Sequence, residues 1–144
     1  DEYVRSLCDM ARGDESIVMT GTQTGSTLHS LFLNSYACVH PSEVEGLPIA
    51  VLEGMSYGKC VLGSDIPGNK ELLDDYGLTF RRGNIKELKA KMAYMIEHPK
   101  EVHEIGKRAR AHVAKNYDWK DIAETTEYLY ELIQLEPKLK DVVA

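Results

Sequence analysis

No stretch of this sequence approaches the ~20 consecutive apolar residues that a membrane-crossing helix needs. Its first residues, Asp1-Glu2-Tyr3-Val4-Arg5, have neither the basic start nor the apolar block of a secretory signal, so a cytoplasmic location is expected. Positive charge is in short supply: 17 Lys and Arg stand against 23 Asp and Glu, for a net charge of -6. Nucleic-acid binding rests on clustered Lys and Arg facing phosphates, and this balance argues against it. Cysteine is scarce and odd in number. Cys8, Cys38 and Cys60 lie in apolar surroundings without the close Cys or His spacing of a zinc site, so buried, reduced thiols are expected. There is no internal repeat, no low-complexity run and no linker long enough to divide the chain, so residues 1–144 read as one domain. An initiating Met is missing too, and the chain opens inside an amphipathic helix, which suggests a piece of a longer protein.

What the sequence does have is a core, with 43% apolar and 28% charged residues, the balance of a globular domain. Val4, Leu7, Cys8 and Ala11 recur at helical spacing and predict a helix over residues 2–12, closed by Gly13. Residues 16–20 (Ser-Ile-Val-Met-Thr) read as a buried strand. After the polar turn 21–25, Ser26 is expected to cap a helix carrying Leu28, Leu31 and Phe32. Further strands are expected over 37–40, 60–64 and 78–80. Between them lie a helix from Pro48 to about Tyr57, with Gly58 just past its end, and a short helix around residues 71–73. Apolar strands alternating with helices predict a parallel sheet covered on both faces. From Asn84 the strand signal stops. Asn84 and Glu87 have capping-box spacing, Pro99 separates that helix from one over about 101–115, and Asp118 is placed to cap a last helix. Beyond Pro137 no pattern emerges.

The stretch from His40 to Met55 carries the chemistry: a strand end, a loop with an acid and a glycine, then a helix start. In an open parallel sheet ligands bind beyond the carboxyl ends of the strands. The first-turn N–H groups of Ile49 and Ala50 have no partner within the helix and lie at the positive end of its dipole, which suits a diphosphate. Gly46 has no side chain to obstruct a sugar. Glu53 lies more than a turn inside an otherwise apolar helix, where a carboxylate is costly without partners, and the two hydroxyls of a ribose would supply them. Taken singly, these residues also have plainer readings. Two Glu at this spacing arise by chance, and His40 reads as a strand-end side chain. Lys107, Arg108 and Arg110 read as the solvated face of a helix, and Tyr3, Tyr94, Tyr117, Trp119, Tyr128 and Tyr130 as aromatics that pack helices together.

The order of motifs resembles a known family. Val39-His40-Pro41-Ser42, Glu45-Gly46-Leu47-Pro48 through Glu53, Gly54-Met55-Ser56-Tyr57-Gly58, and Ser64-Asp65 through Gly68 and Glu71 are similar to the donor-binding domain of retaining glycosyltransferases with the GT-B fold. Asn116-Tyr117-Asp118-Trp119 extends the likeness almost along the whole chain. The resemblance implies the C-terminal half of a GT-B fold, a Rossmann-like parallel sheet with helices on both faces, truncated at its N-terminus and followed by C-terminal helices. It implies transfer of a sugar from a nucleoside diphosphate sugar with retention. Glu45 would be the catalytic glutamate beside the sugar, the backbone of Gly46 and Leu47 would face sugar hydroxyls, and the amides of Ile49 and Ala50 would hold the distal phosphate. Glu53 would hold the ribose, and Gly21 and Thr22 the base. No Asp-x-Asp motif is present, so no metal and no cofactor is expected. Gly54, Cys60 and Pro67 depart from the family's usual alanine, proline and glycine.

The resemblance further implies a partner, an acceptor-binding domain, along with an upstream Arg and Lys that clamp the diphosphate. Since these 144 residues contain neither, they are expected to bind nucleotide at most weakly and to show no measurable sugar transfer alone. The rival readings are a nucleotide-sugar epimerase of similar architecture and a non-catalytic flavodoxin-like binding or signalling module. The module reading predicts no nucleotide binding, which separates it from the others.

Overall fold

The computed structural model describes residues 2–140, and by their internal contacts the chain forms two compact units, 1–33 and 34–144.

The first unit contains α1 (Glu2–Ala11) and most of α2 (Gly25–Asn34). α1 has the expected amphipathic spacing and ends before Gly13, yet none of its residues is buried. Cys8 is accordingly exposed, against the expectation of three buried thiols, while Cys38 is part-buried and Cys60 buried. The strand expected over 16–20 does not form. Asp14 Oδ1 accepts from Ser16 N and Oγ at 3.0 and 2.6 Å, and Ile17 N bonds to Asp14 O at 3.1 Å, so a turn takes up the start of the apolar run. Ile17, Val18 and Met19 stay exposed, and among the described residues no strand pairs with them. α2 begins at Gly25, with Leu28 N bonded to Thr24 O, so Thr24 and not Ser26 holds the capping position.

In the second unit β1 (Ala37–His40), β2 (Cys60–Ser64) and β3 (Leu78–Phe80) pair in parallel in the order β1-β2-β3. Between them run α3 (Ile49–Ser56) and α4 (Pro67–Leu73), and α5 (Ile85–Glu97), α6 (Pro99–Asn116) and α7 (Trp119–Lys140) follow. All five residues of β2 are buried. Because successive strand side chains point to opposite faces, β2 feeds two cores. Val61 packs with Val51 and Met55 of α3 and Leu72 and Leu73 of α4, whereas Cys60 and Leu62 pack with Phe80, Met95 of α5, and Val102 and Ile105 of α6. Ala109 and Val113, further along α6, return to the first core. Each fully buried aliphatic side chain contributes ~1.5–3 kcal/mol, so β2 and its neighbours anchor the unit. Burial in the second core pushes the Cys60 thiol up to about 12.

Helix ends follow local chemistry. Gly58, at φ 71, closes α3 in a Schellman turn: its N–H bonds to Met55 O at 2.9 Å, and Lys59 N to Gly54 O at 3.1 Å. α4 starts earlier than expected, because Pro67 occupies its first turn, where a missing N–H costs nothing. Asn84 caps α5, its Oδ1 accepting from Glu87 N at 3.1 Å, while its own amide donates to Glu87 Oε2 at 3.2 Å. Asp118 caps α7 through Lys120 N at 2.7 Å. Of the aromatics expected to pack helices, Tyr117 meets the first core, but Tyr3, Trp119, Tyr128 and Tyr130 are exposed. The patternless segment after Pro137 lies partly outside the described residues, α7 continuing to Lys140.

Candidate functional site

β1 ends at His40, Pro41 stops the ladder, and the loop that follows returns to α3 at Pro48, the residue just before the helix. Three side chains converge across that loop. Ser42 Oγ donates to Glu45 Oε1 at 2.7 Å, and His40 Nε2 lies 3.0 Å from the same oxygen and 2.9 Å from Ser42 Oγ. With the serine hydroxyl proton directed at the carboxylate, His40 Nε2 must carry a proton, since two lone pairs would otherwise face each other at 3.0 Å. Oε1 therefore receives both donors, and no hydrogen bond engages Oε2 among the described residues. The pair is part-buried, with side-chain exposures of 23% for His40 and 31% for Glu45. The Ser42 hydroxyl first, and then His40, hold the Glu45 carboxyl below the usual carboxylate range.

A pH dependence follows. A carboxyl whose folded pKa is depressed contributes stability above its unfolded pKa and loses it as pH falls through the folded one. The 13C-observed titration of the Glu45 carboxyl should therefore have a midpoint below that of a free glutamate, and Ser42→Ala should move it up. A midpoint unchanged in a folded Ser42→Ala variant would disprove the contact.

Glu45, Gly46 and Leu47, the expected sugar-facing residues, occupy this loop, and Glu43 beside them is exposed, as expected of a solvated side chain. Ile49 and Ala50 form the exposed first turn of α3, where amides have no partner within the helix. Glu53 is part-buried on the same helix. With Ser56 it lines a largely apolar cavity of ≈ 430 Å³ that Leu47, Ile49, Tyr117 and Trp119 also line. Gly21, at φ 65, and Thr22 are exposed residues of the first unit.

Sequence reasoning gave no role to α4, yet it forms the support of the loop. A Cβ added at Gly68 would stand 2.2 Å from Gly46 O and 2.9 Å from Glu45 O, so only glycine lets the helix approach so closely. The next residue, Asn69, is fully buried and donates through Nδ2 to Ser64 O at 3.0 Å and to Ser64 Oγ at 3.1 Å. Ser64 Oγ in turn donates to Ser42 O. His40 was expected to be only a strand-end side chain and Ser42 was given no role; their spacing before Glu45, at five and three residues, could have pointed to both, whereas Ser64 and Asn69 have no such local signature. Gly54, a departure from the family's alanine, lies where an added Cβ would be 3.1 Å from both Cys38 Sγ and Val61 Cγ2, so it packs as a small residue. Among the described residues, no three His, Cys, Asp or Glu side chains gather into a group able to hold a metal ion, and no helix is long and apolar enough to cross a membrane.

Comparison with known proteins agrees with the motif order. Over 109 residues the chain is 34% identical to the sulfoquinovosyl transferase SQD2 of Arabidopsis thaliana, which uses 72% of this chain but spans only 21% of that relative. Its fold superposes on sucrose-phosphate synthase from Thermosynechococcus elongatus with a TM-score of 0.85 at 20% identity, covering 94% of this chain and 34% of that one. Anabaena HepE in complex with UDP-glucose gives a TM-score of 0.78 at 22% identity, covering 88% and 37%. These likenesses establish the α/β, Rossmann-like architecture of GT-B glycosyltransferases. Residues 1–112 match the family model described as glycosyl transferases group 1, and the chain belongs to that family.

Proposed function

We propose that the site binds a nucleoside diphosphate sugar and that the protein transfers its sugar to an acceptor with retention of anomeric configuration. The observation that carries this reading is the arrangement of one loop and one helix: a carboxylate held by two donors at Glu45, then the unsatisfied first-turn amides of α3, then Glu53 on the same helix. In this reading the diphosphate meets the Ile49 and Ala50 amides, where the helix dipole favours negative charge. The free oxygen of Glu45 faces the sugar beside the backbone of Gly46 and Leu47, and Glu53 accepts from the ribose hydroxyls. The helix end, and not a divalent ion, stabilises the departing diphosphate. Retention rests on the likeness of the paired-glutamate motif, and a nucleotide-sugar donor agrees with the UDP-glucose bound by HepE. The acceptor is assigned to a further domain, because this chain spans 21% of its plant relative.

The test is ligand-observed NMR on an active enzyme carrying this sequence, with uridine, guanosine and adenosine diphosphate sugars. Transfer of saturation to ribose protons from at least one of them is expected. Binding by none of the panel would refute the reading. Glu53→Gln keeps the side chain's shape but weakens a charge-assisted pair, so calorimetry on an active enzyme carrying this sequence should find nucleotide affinity lower by ~1.5–3 kcal/mol. Discrimination against 2′-deoxy and 3′-deoxy nucleotides should fall with it. Unchanged affinity in the folded variant would remove Glu53 from the ribose.

A further inference from the structure

We infer that Asn69 is a positioning residue for Glu45, acting from inside the core through Ser64 and Ser42. The inference rests on the proposed role of Glu45, but the geometry behind it does not. A run of hydrogen bonds leads from α4 to the carboxylate, and each proton in it has one place to go. Asn69 Nδ2 donates to Ser64 Oγ at 3.1 Å and to the Ser64 carbonyl at 3.0 Å, which orients the amide and occupies a lone pair of the hydroxyl. The hydroxyl is then left to donate, and it donates to the carbonyl of Ser42. Ser42 Oγ completes the run at Glu45 Oε1, 2.7 Å away. Ser64 is the last residue of β2 and Ser42 lies just past β1, so this one hydroxyl fastens the end of the first strand to the end of the second.

Two further observations support the inference. Asn69 has no exposed surface, and among the described residues its Oδ1 has no hydrogen-bond partner. A residue kept only for packing would be better replaced by leucine of nearly the same size, since an unpaired buried acceptor destabilises the fold. The neighbouring Gly68 lies so close to the loop that a Cβ there would meet both Gly46 O and Glu45 O. α4 thus touches the Glu45 loop twice, once by backbone contact and once through the hydrogen-bond run. The titratable neighbour acting on Glu45 is His40, which reaches it from β1 and also touches the last link of the run, its Nε2 2.9 Å from Ser42 Oγ.

The decisive variants are Asn69→Leu, which removes the amide donor without adding charge, and Ser64→Ala, which removes only the hydroxyl. In this chain, each should move the 13C-observed titration midpoint of the Glu45 carboxyl upward towards that of free glutamate, with the amide spectrum of β1 and β3 retained. If Asn69→Leu does not fold, Ser64→Ala decides alone. In an active enzyme carrying this sequence, turnover should fall about tenfold to a hundredfold, as expected of small misplacement at a reacting centre, with donor KM little changed. In a Glu45→Gln background the same substitutions should have almost no further effect, whereas a residue acting only on stability would give penalties that add. A Glu45 midpoint unmoved in a folded variant overturns the inference. So does full additivity with Glu45→Gln. If the midpoint moves but Glu45→Gln itself leaves turnover intact, positioning stands and the proposed function of Glu45 fails.

Discussion

Glu45→Ala, in an active enzyme carrying this sequence, is expected to lower kcat by about a hundredfold or more, the usual effect of deleting one preorganised electrostatic group. Donor KM should change far less, because a group whose interaction strengthens in the transition state contributes to turnover more than to ground-state binding. The geometry predicts that ordering. Ser42 and His40 both reach Oε1, so the carboxylate is oriented before any sugar arrives and Oε2 is left for it. Glu45→Gln should recover little of the loss, since its amide oxygen can still accept from both donors but the negative charge is gone and an NH2 donor replaces the second acceptor oxygen. Glu43→Ala removes an exposed carboxylate two residues away and serves as the control, with near-normal kinetics expected. A well-folded Glu45→Ala enzyme with ordinary turnover would dispose of the catalytic role.

Gly68→Ala should be the most damaging single methyl in the loop region. The atom it would approach, Gly46 O at 2.2 Å, is backbone and cannot rotate away as a flexible side chain would. Either α4 or the loop must shift, and overpacking of this kind costs about 3 kcal/mol, towards the upper end of its usual range. Urea unfolding should report this as a lower midpoint at unchanged slope. Because the same shift displaces the Glu45 backbone, the depressed titration of Glu45 should be lost in the same variant. A midpoint equal to that of the unsubstituted chain would mean that the loop yields freely, and the supporting role of α4 would be lost with it.

Much of the second unit was legible in its sequence for simple reasons. The runs at 37–40, 60–64 and 78–80 are short, apolar and bounded by breakers, and each is a strand. Asn84, Asp118 and Gly58 act at helix ends through side-chain or φ preferences that need no distant partner. Errors arose where an outcome depended on a partner elsewhere. The run at 16–20 has strand composition, but pairing is a tertiary property, and the Asp14–Ser16 turn competes locally for its first residues. Cys8, Trp119 and Tyr128 have helical spacing and remain exposed for the same reason. At the site, the two glutamates and the helix start could be read from order and spacing. Ser64 and Asn69 could not, because their link to Ser42 exists only once β1 and β2 lie side by side in parallel.

β2 has a consequence for motion. It is hydrogen-bonded on both sides and buried along its whole length, the conditions under which backbone amides exchange with solvent only when the whole fold opens. Ser64 is its last residue, so the hydroxyl that holds Ser42 belongs to the strand expected to open last in the unit. Loops that carry ligand contacts commonly come from the least protected regions of a protein, and their geometry fluctuates accordingly. Here the loop is tied by Ser64 to a strand that is buried and paired on both sides. Opening of the Glu45 loop at that point then requires loss of the Ser64–Ser42 hydrogen bond, and a core substitution that leaves Gly68, Asn69 and Ser64 in place is expected to reduce how many molecules are folded while leaving the carboxylate in those that remain held as before.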